Sequence, residues 1–124
     1  MISVSSRGGF SKTEAFLRRA RDLRIQILRR YGEEGVRALS LATPKDTGET
    51  ASSWYYQIKE DKTSTTIEWL NHHVEDGVPI AVILQYGHGT NGGGYVEGID
   101  YINPAMRPLF EEIANSVWKE VSRI

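Results

Sequence analysis

WYYQIKEDKTSTTIEWL, residues 54–70, is the stretch on which the fold turns. Trp54, Tyr56 and Ile58 alternate with Tyr55, Gln57 and Lys59; Ile67 and Trp69 alternate with Thr66 and Glu68. Successive side chains of a strand point to opposite faces, so each run presents one apolar face. Joined at Asp61-Lys62, the two runs make an antiparallel hairpin with one buried side. Tyr55 lies opposite Trp54 and Tyr56, which makes it the aromatic of this hairpin best placed to meet a partner.

Before the hairpin, Ser11-Lys12-Thr13-Glu14 fits a capping box. The helix it opens is predicted to run to about Ala42, because Phe16, Leu17, Ala20, Leu23, Ile27, Leu28, Tyr31, Ala38, Leu39 and Ala42 recur at helical spacing. Arg18, Arg19, Arg29, Arg30 and Arg37 fall on the opposite side, within an arc of roughly 120° at about 100° per residue. Arg24 falls among the apolar residues, where it either snorkels or pairs with a carboxylate. Gly32 and Gly35 weaken the helix and predict a bend. Pro44 ends it, and Asp46-Thr47-Gly48 is turn chemistry. Residues 1–10 read as a flexible arm whose Ile2-Ser3-Val4 is able to add a strand to a partner. Residues 11–124 read as one domain.

After the hairpin, Asn71 to Gly77 reads as a polar connection. Pro79 to Tyr86 is short and apolar, and periodicity does not separate a strand from two helical turns. The glycine-rich stretch that follows reads as a connector. Asn103 as N-cap and Pro104 at the first helical position open the last helix. Met106, Leu109, Phe110, Ile113, Val117 and Val121 line its core face, and Pro108 moves the regular helix later. The predicted fold is α+β: a long N-terminal helix and a C-terminal helix packed on a small antiparallel sheet built around the β-hairpin.

A chain of 124 residues supports one modest core. It has no cysteine, which removes disulfides and thiol chemistry. Its longest apolar run, Val78 to Leu84, is too short for a membrane span, and MISVSSRGGF does not read as a secretory signal. The net charge of −1 hides a division. Arg7 to Arg37 holds nine Lys/Arg against four Asp/Glu, and the remainder holds six against twelve. Such segregation suits stacking of copies, basic face to acidic face, or contact with nucleic acid through one surface.

No catalytic, cofactor-binding or metal-binding set is expected. Gly87-His88-Gly89-Thr90-Asn91-Gly92 spells G-x-G-x-x-G, but no helix opens at its last glycine, as a dinucleotide site requires. Gly8 to Thr13 lacks the glycine before lysine that a phosphate loop needs. His72, His73 and His88, near Glu75, Asp76, Glu97 and Asp100, form no H-x-x-x-H or H-E-x-x-H pair and read as exposed loop histidines. The adjacent acids Glu60-Asp61, Glu75-Asp76 and Glu111-Glu112 read as solvated faces, and Ser52-Ser53 has no identifiable base. The arginine face admits three readings: a solvated helix side, a sequence-blind nucleic-acid contact, or an inter-subunit surface. The inter-subunit reading stands ahead of DNA because the acid-rich remainder supplies partners. Arg18, Arg19, Arg29, Arg30 and Tyr55 are its candidate contacts, together with His88, Thr90, Asn91 and Tyr95 of the glycine-rich stretch.

Three motifs, in order, carry a resemblance. Pro44-Lys45-Asp46-Thr47-Gly48, after a long helix and before Ser53 and a hairpin, resembles the P-x-D-T-G corner of phage neck and tail-completion proteins. These are the small head–tail joining proteins (minor tail or minor capsid proteins) of long-tailed bacteriophages and prophages. IAVILQYGHGT, residues 80–90, resembles that family's second signature, a short apolar segment ending in Gly-His-Gly-Thr, here with Gly87 and Gly89. Tyr101-Ile102-Asn103-Pro104-Ala105 resembles its third, the Pro-Ala that opens the terminal helix. The resemblance covers about residues 11–122, with Gln85 standing where many members carry an acid. It implies a non-enzymatic virion protein, without cofactor or membrane, made in the host cytoplasm and placed at the head–tail junction. It further implies a homo-oligomeric ring, commonly sixfold with twelvefold as the alternative, as a head–tail connector. Neighbouring head-completion and tail proteins would be its partners, with nonspecific DNA contact in the lumen. The alternative from another class is a sequence-nonspecific nucleic-acid-binding module using the arginine face.

Overall fold

The hairpin forms with the faces that its alternation predicts. In the structure, a computed structural model that describes residues 14–45, 48–62 and 64–123, β1 (Trp54–Glu60) pairs antiparallel with β2 (Thr65–Asn71). The register sets Tyr56 opposite Trp69 and Ile58 opposite Ile67. The connection is longer than Asp61-Lys62 alone. The Asp61 carboxylate accepts from the Ser64 backbone N–H at 2.7 Å and the Ser64 hydroxyl at 3.0 Å, so an acidic side chain closes the turn. On the outer face Gln57 donates to Glu68 at 2.9 Å and Lys59 pairs with the same carboxylate at 3.4 Å. These partners, the Gln57 hydrogen bond first, hold Glu68 below the usual carboxylate range.

The inner face of the hairpin packs on α1 (Glu14–Ala42), which is continuous through Gly32 and Gly35. What these glycines supply is room. A Cβ at Gly32 would sit 2.5 Å from the Tyr56 ring, and one at Gly35 would overlap the Trp69 indole. Two aromatic rings therefore lie flush on the helix backbone, and Trp69 Nε1 donates to the Gly32 carbonyl at 3.0 Å. At the end of α1, Thr43 accepts from Trp54 Nε1 at 2.8 Å and donates to the Leu39 carbonyl at 2.6 Å, so the half-buried indole and the buried hydroxyl are both satisfied.

α3 (Ile102–Val121) packs along α1. Leu28, Leu39, Ile67, Met106 and Ile113 are almost fully buried and, with Ile27, Tyr31, Trp69 and Leu109, make the core. Burial of each large apolar side chain contributes on the order of 1.5–3 kcal/mol. Tyr31 and Ser116 share a 2.8 Å hydrogen bond between the two helices. Pro108 lies inside α3 and does not delay its start. The carbonyl it cannot serve belongs to exposed Pro104, in a first turn where solvent takes unpaired groups. Arg24 is half-buried, and among the described residues it forms no ion pair. Its Nε is buried without a hydrogen-bond partner, and burial lowers its pKa against the attraction of Glu60. The N-terminal arm, Ser11 to Thr13 of the capping box, Asp46 and Thr47, and the side chains of Phe16 and Val121 lie outside the described residues. Among the described residues no helix is long and apolar enough to cross a membrane.

Candidate functional site

Residues 74–101 form a second unit of small elements. Val74–Glu75 (β3) pairs with Val78–Pro79 (β4) across Asp76-Gly77, both with positive φ, 51° and 76°. That is the two-residue hairpin chemistry of an Asp-Gly pair, so the expected polar connection is a tight turn. Pro79 leads into α2 (Ile80–Tyr86), which resolves the apolar segment as helix. Gly87–Gly89 (β5) and Tyr95–Glu97 (β6) then make a third antiparallel ribbon, with His88 opposite Val96. The G-x-G-x-x-G thus lies on a hairpin, a frame unlike the strand-to-helix turn of a dinucleotide site.

Gly87 is where this ribbon leaves α2, with φ of 82°. A Cβ there would meet the Val96 carbonyl at 2.5 Å and the Gly98 nitrogen at 2.7 Å. Backbone on both sides leaves no space for another residue. Thr90 closes the loop: its backbone N–H donates to the Gly94 carbonyl at 2.9 Å, and its hydroxyl accepts from the Gly94 N–H at 3.1 Å.

Gln85 holds the unit to α3. Buried on α2, its Oε1 accepts from the backbone N–H groups of Tyr101 at 3.0 Å and Ile102 at 2.9 Å, and its Nε2 donates to Asp100 at 2.7 Å. Gln85 therefore caps α3 from a distant element, and the helix begins at Ile102 after Tyr101. Asn103 is not the cap. It lies inside the first turn and donates to Asp100 at 3.1 Å, and Pro104 follows it there. The Gln85 hydrogen bond, then those from Asn103, hold Asp100 below the usual carboxylate range. Buried Tyr101 donates its hydroxyl to the Ala81 carbonyl at 2.7 Å, and burial pushes its pKa up to about 12.

With polar links inward, this unit leaves several large apolar side chains exposed. Of the nine exposed large hydrophobics among the described residues, seven lie between Val74 and Ile99. Val82 and Tyr86 sit four residues apart on α2, about 100° round the helix from buried Ala81 and Gln85, and Tyr86 is 70% exposed. Tyr95, 64% exposed, donates to the Tyr86 carbonyl at 2.9 Å, and Ile99 is tied to α2 by its N–H to the Leu84 carbonyl at 2.9 Å. Val96 lies beside Tyr95 on β6.

The candidate contacts are spread over the fold. Arg18, Arg19, Arg29 and Arg30 are exposed on α1, with the Arg30 guanidinium 4.9 Å from the Tyr31 ring centroid. Tyr55 is not a lone outward ring, because it stacks on His72 at 3.9 Å and 9°. Thr90, Asn91 and Tyr95 are exposed on the β5–β6 ribbon, but His88 carries a buried Nδ1 without a partner. No hydrogen bond or ion pair joins the α1 and β5–β6 groups among the described residues. The sequence reading missed Val82, Tyr86, Val96 and Ile99. Val82 and Tyr86 carry a signal, the i, i+4 spacing of one face of a short helix. Part of the charge division is also spent within the chain, where Arg21 pairs with Glu60 at 2.5 Å.

His73 is also not an exposed loop histidine. Its side chain is only 8% exposed and faces Thr50, Glu49 and Glu75. Comparison of the chain with family models, with curated proteins and with solved structures finds no match.

Proposed function

We propose that this chain is a structural, non-enzymatic assembly protein of the phage head–tail junction. It acts as a ring-forming connector whose contacts with copies of itself and with head-completion and tail proteins run through α2 and the β5–β6 ribbon. The observation that carries the reading is the concentration of exposed large hydrophobics, seven of nine among the described residues, between Val74 and Ile99, with Val82 and Tyr86 on α2 and Tyr95 and Val96 on opposite faces of β6, beside the Gly-His-Gly-Thr element of the resemblance. Clustered exposed apolar groups mark interaction surfaces, whereas scattered ones do not. The resemblance motifs supply the architecture beneath this surface. IAVILQYGHGT makes α2 and β5, and Tyr101-Ile102 receives the Gln85 cap. A ring built head to tail needs two different complementary faces, and the exposed arginines of α1 offer the second.

Deleting the gene in the phage that carries it tests the proposal. Heads and tails should then accumulate unjoined in electron micrographs, and mass spectrometry should find the chain in wild-type particles. Joined particles without the gene, or wild-type particles that lack the chain, would end the proposal.

The alternative, a nucleic-acid-binding module, is favoured by one observation: Arg18, Arg19, Arg29 and Arg30 are exposed on α1 and engage no carboxylate among the described residues. Phosphate contacts through them would give duplex-DNA binding that falls steeply with salt. Replacing Arg18, Arg19, Arg29 and Arg30 by alanine should flatten that slope. Weak binding that the four replacements leave unchanged contradicts this reading.

A further inference from the structure

The corner before β1 and the β3–β4 hairpin bring three ligand-bearing side chains to one point. His73 Nε2 lies 2.9 Å from Glu75 Oε1 and 3.4 Å from Glu49 Oε2. One donor atom from each residue falls within 4.8 Å of the other two. The imidazole is fixed by burial, while both carboxylates are exposed and able to adjust.

The second ring nitrogen is also held. His73 Nδ1 shares a 2.6 Å hydrogen bond with the hydroxyl of buried Thr50. Asn71 braces the same corner: its Oδ1 accepts from the His73 backbone N–H at 2.9 Å and its Nδ2 donates to the Thr50 carbonyl at 2.8 Å. Ligating histidines are oriented in this way, through a hydrogen bond at the nitrogen that does not bind. The Asp76-Gly77 turn fixes the hairpin that carries Glu75.

We propose that Glu49, His73 and Glu75 bind a divalent transition-metal cation, with Zn²⁺ the best fit. A lone pair on Nε2 directed at two carboxylates is repulsive unless a proton or a cation sits between them. A neutral imidazole and two carboxylates sum to a charge that one dication balances. Imidazole selects zinc-like ions over Mg²⁺ and Ca²⁺, which prefer oxygen alone. Tetrahedral zinc with ligands at about 2.1 Å needs ligand–ligand edges of about 3.4 Å. The His73–Glu49 edge of 3.4 Å has that length, the His73–Glu75 edge of 2.9 Å must open by about 0.5 Å, and rotation of the exposed glutamates adjusts it and the third edge. Water fills the fourth position. Bound there, the ion ties the corner before β1 to the β3–β4 hairpin at the base of the second unit. This inference is independent of the phage reading.

The test is Zn²⁺ titration of the metal-free full chain against a chromophoric chelator, with Glu49→Gln and Glu75→Gln as variants. Both side chains are exposed, so the metal-free variants should remain folded, and each variant's own metal-free melting temperature serves as its baseline. The expected result is one Zn²⁺ per chain in the wild type, affinity at least about tenfold weaker in each variant, and no displacement by equimolar Mg²⁺. An upward shift in wild-type melting temperature with Zn²⁺ should accompany binding. No saturable binding, or binding that either variant leaves unchanged, overturns the proposal; the Nε2 contacts are then hydrogen bonds only.

Discussion

The unit made by α1, β1–β2 and α3 and the unit made by β3–β4, α2 and β5–β6 are held by different physics. In the first, Leu28, Ile67, Met106 and Ile113 interdigitate, and two aromatic rings press on glycines of α1. In the second, the inward groups include Gln85 and Tyr101, with His73 at its base, each engaged by hydrogen bonds, while Val82, Tyr86, Val96 and Ile99 face out. The first is a closed core. The second fixes its backbone with polar side chains and leaves large apolar side chains exposed. That division is what the proposed connector would require: a closed frame and a face completed by neighbours.

The largest effect should come from the closed core. Ile113→Ala, at a fully buried position, should cost about 2–5 kcal/mol by urea unfolding. Gly35→Ala sharpens the point. Alanine normally gains about 1 kcal/mol over glycine within a helix, but here its Cβ meets the Trp69 indole, and a net loss of about 1–3 kcal/mol is expected from overpacking. A stabilised Gly35→Ala would mean that the sheet does not lie flush on α1.

In the second unit the loss should be smaller and more local. Gln85→Ala leaves two N–H groups at the start of α3 without their acceptor, at a cost of about 1–3 kcal/mol. Hydrogen exchange should quicken around residues 84–102 while β2 stays protected. Gln85→Glu should also destabilise at neutral pH, because it sets a second carboxylate against Asp100, and Asp100→Asn should restore stability.

Alkaline pH separates the units further. Burial raises Tyr101 to about 12, so the folded state favours its protonated phenol. That contribution is complete below pH of about 10 and is lost as pH rises toward about 12. The urea midpoint should fall over that window in the wild type and fall less in Tyr101→Phe.

The same contrast governs what was legible. The two faces of β1–β2 and the extent of α1 followed from periodicity, because each element is long and buries one face. Gly32 and Gly35 read as weaknesses, since their use depends on rings that arrive from residues 56 and 69. The α3 cap was assigned to Asn103 because a local side chain was the visible candidate; Gln85, on another element, outcompetes it. The seven residues of α2 are too few for a period to distinguish helix from strand. Asp76-Gly77 carries a hairpin-turn signal, masked by the polar residues on either side of it. His73 gave no sign of its burial, which depends on Thr50 and Asn71.

The surface itself should matter least to stability. Replacing Val82, Tyr86 and Val96 together by serine should change stability by about 0.5 kcal/mol or less per site. Complementation of a gene deletion with this triple variant is the most direct test of the central claim. The account predicts that the wild-type gene restores joined particles, while the variant, folded and as thermally stable as expected, leaves heads and tails apart. Full restoration by the variant would contradict it.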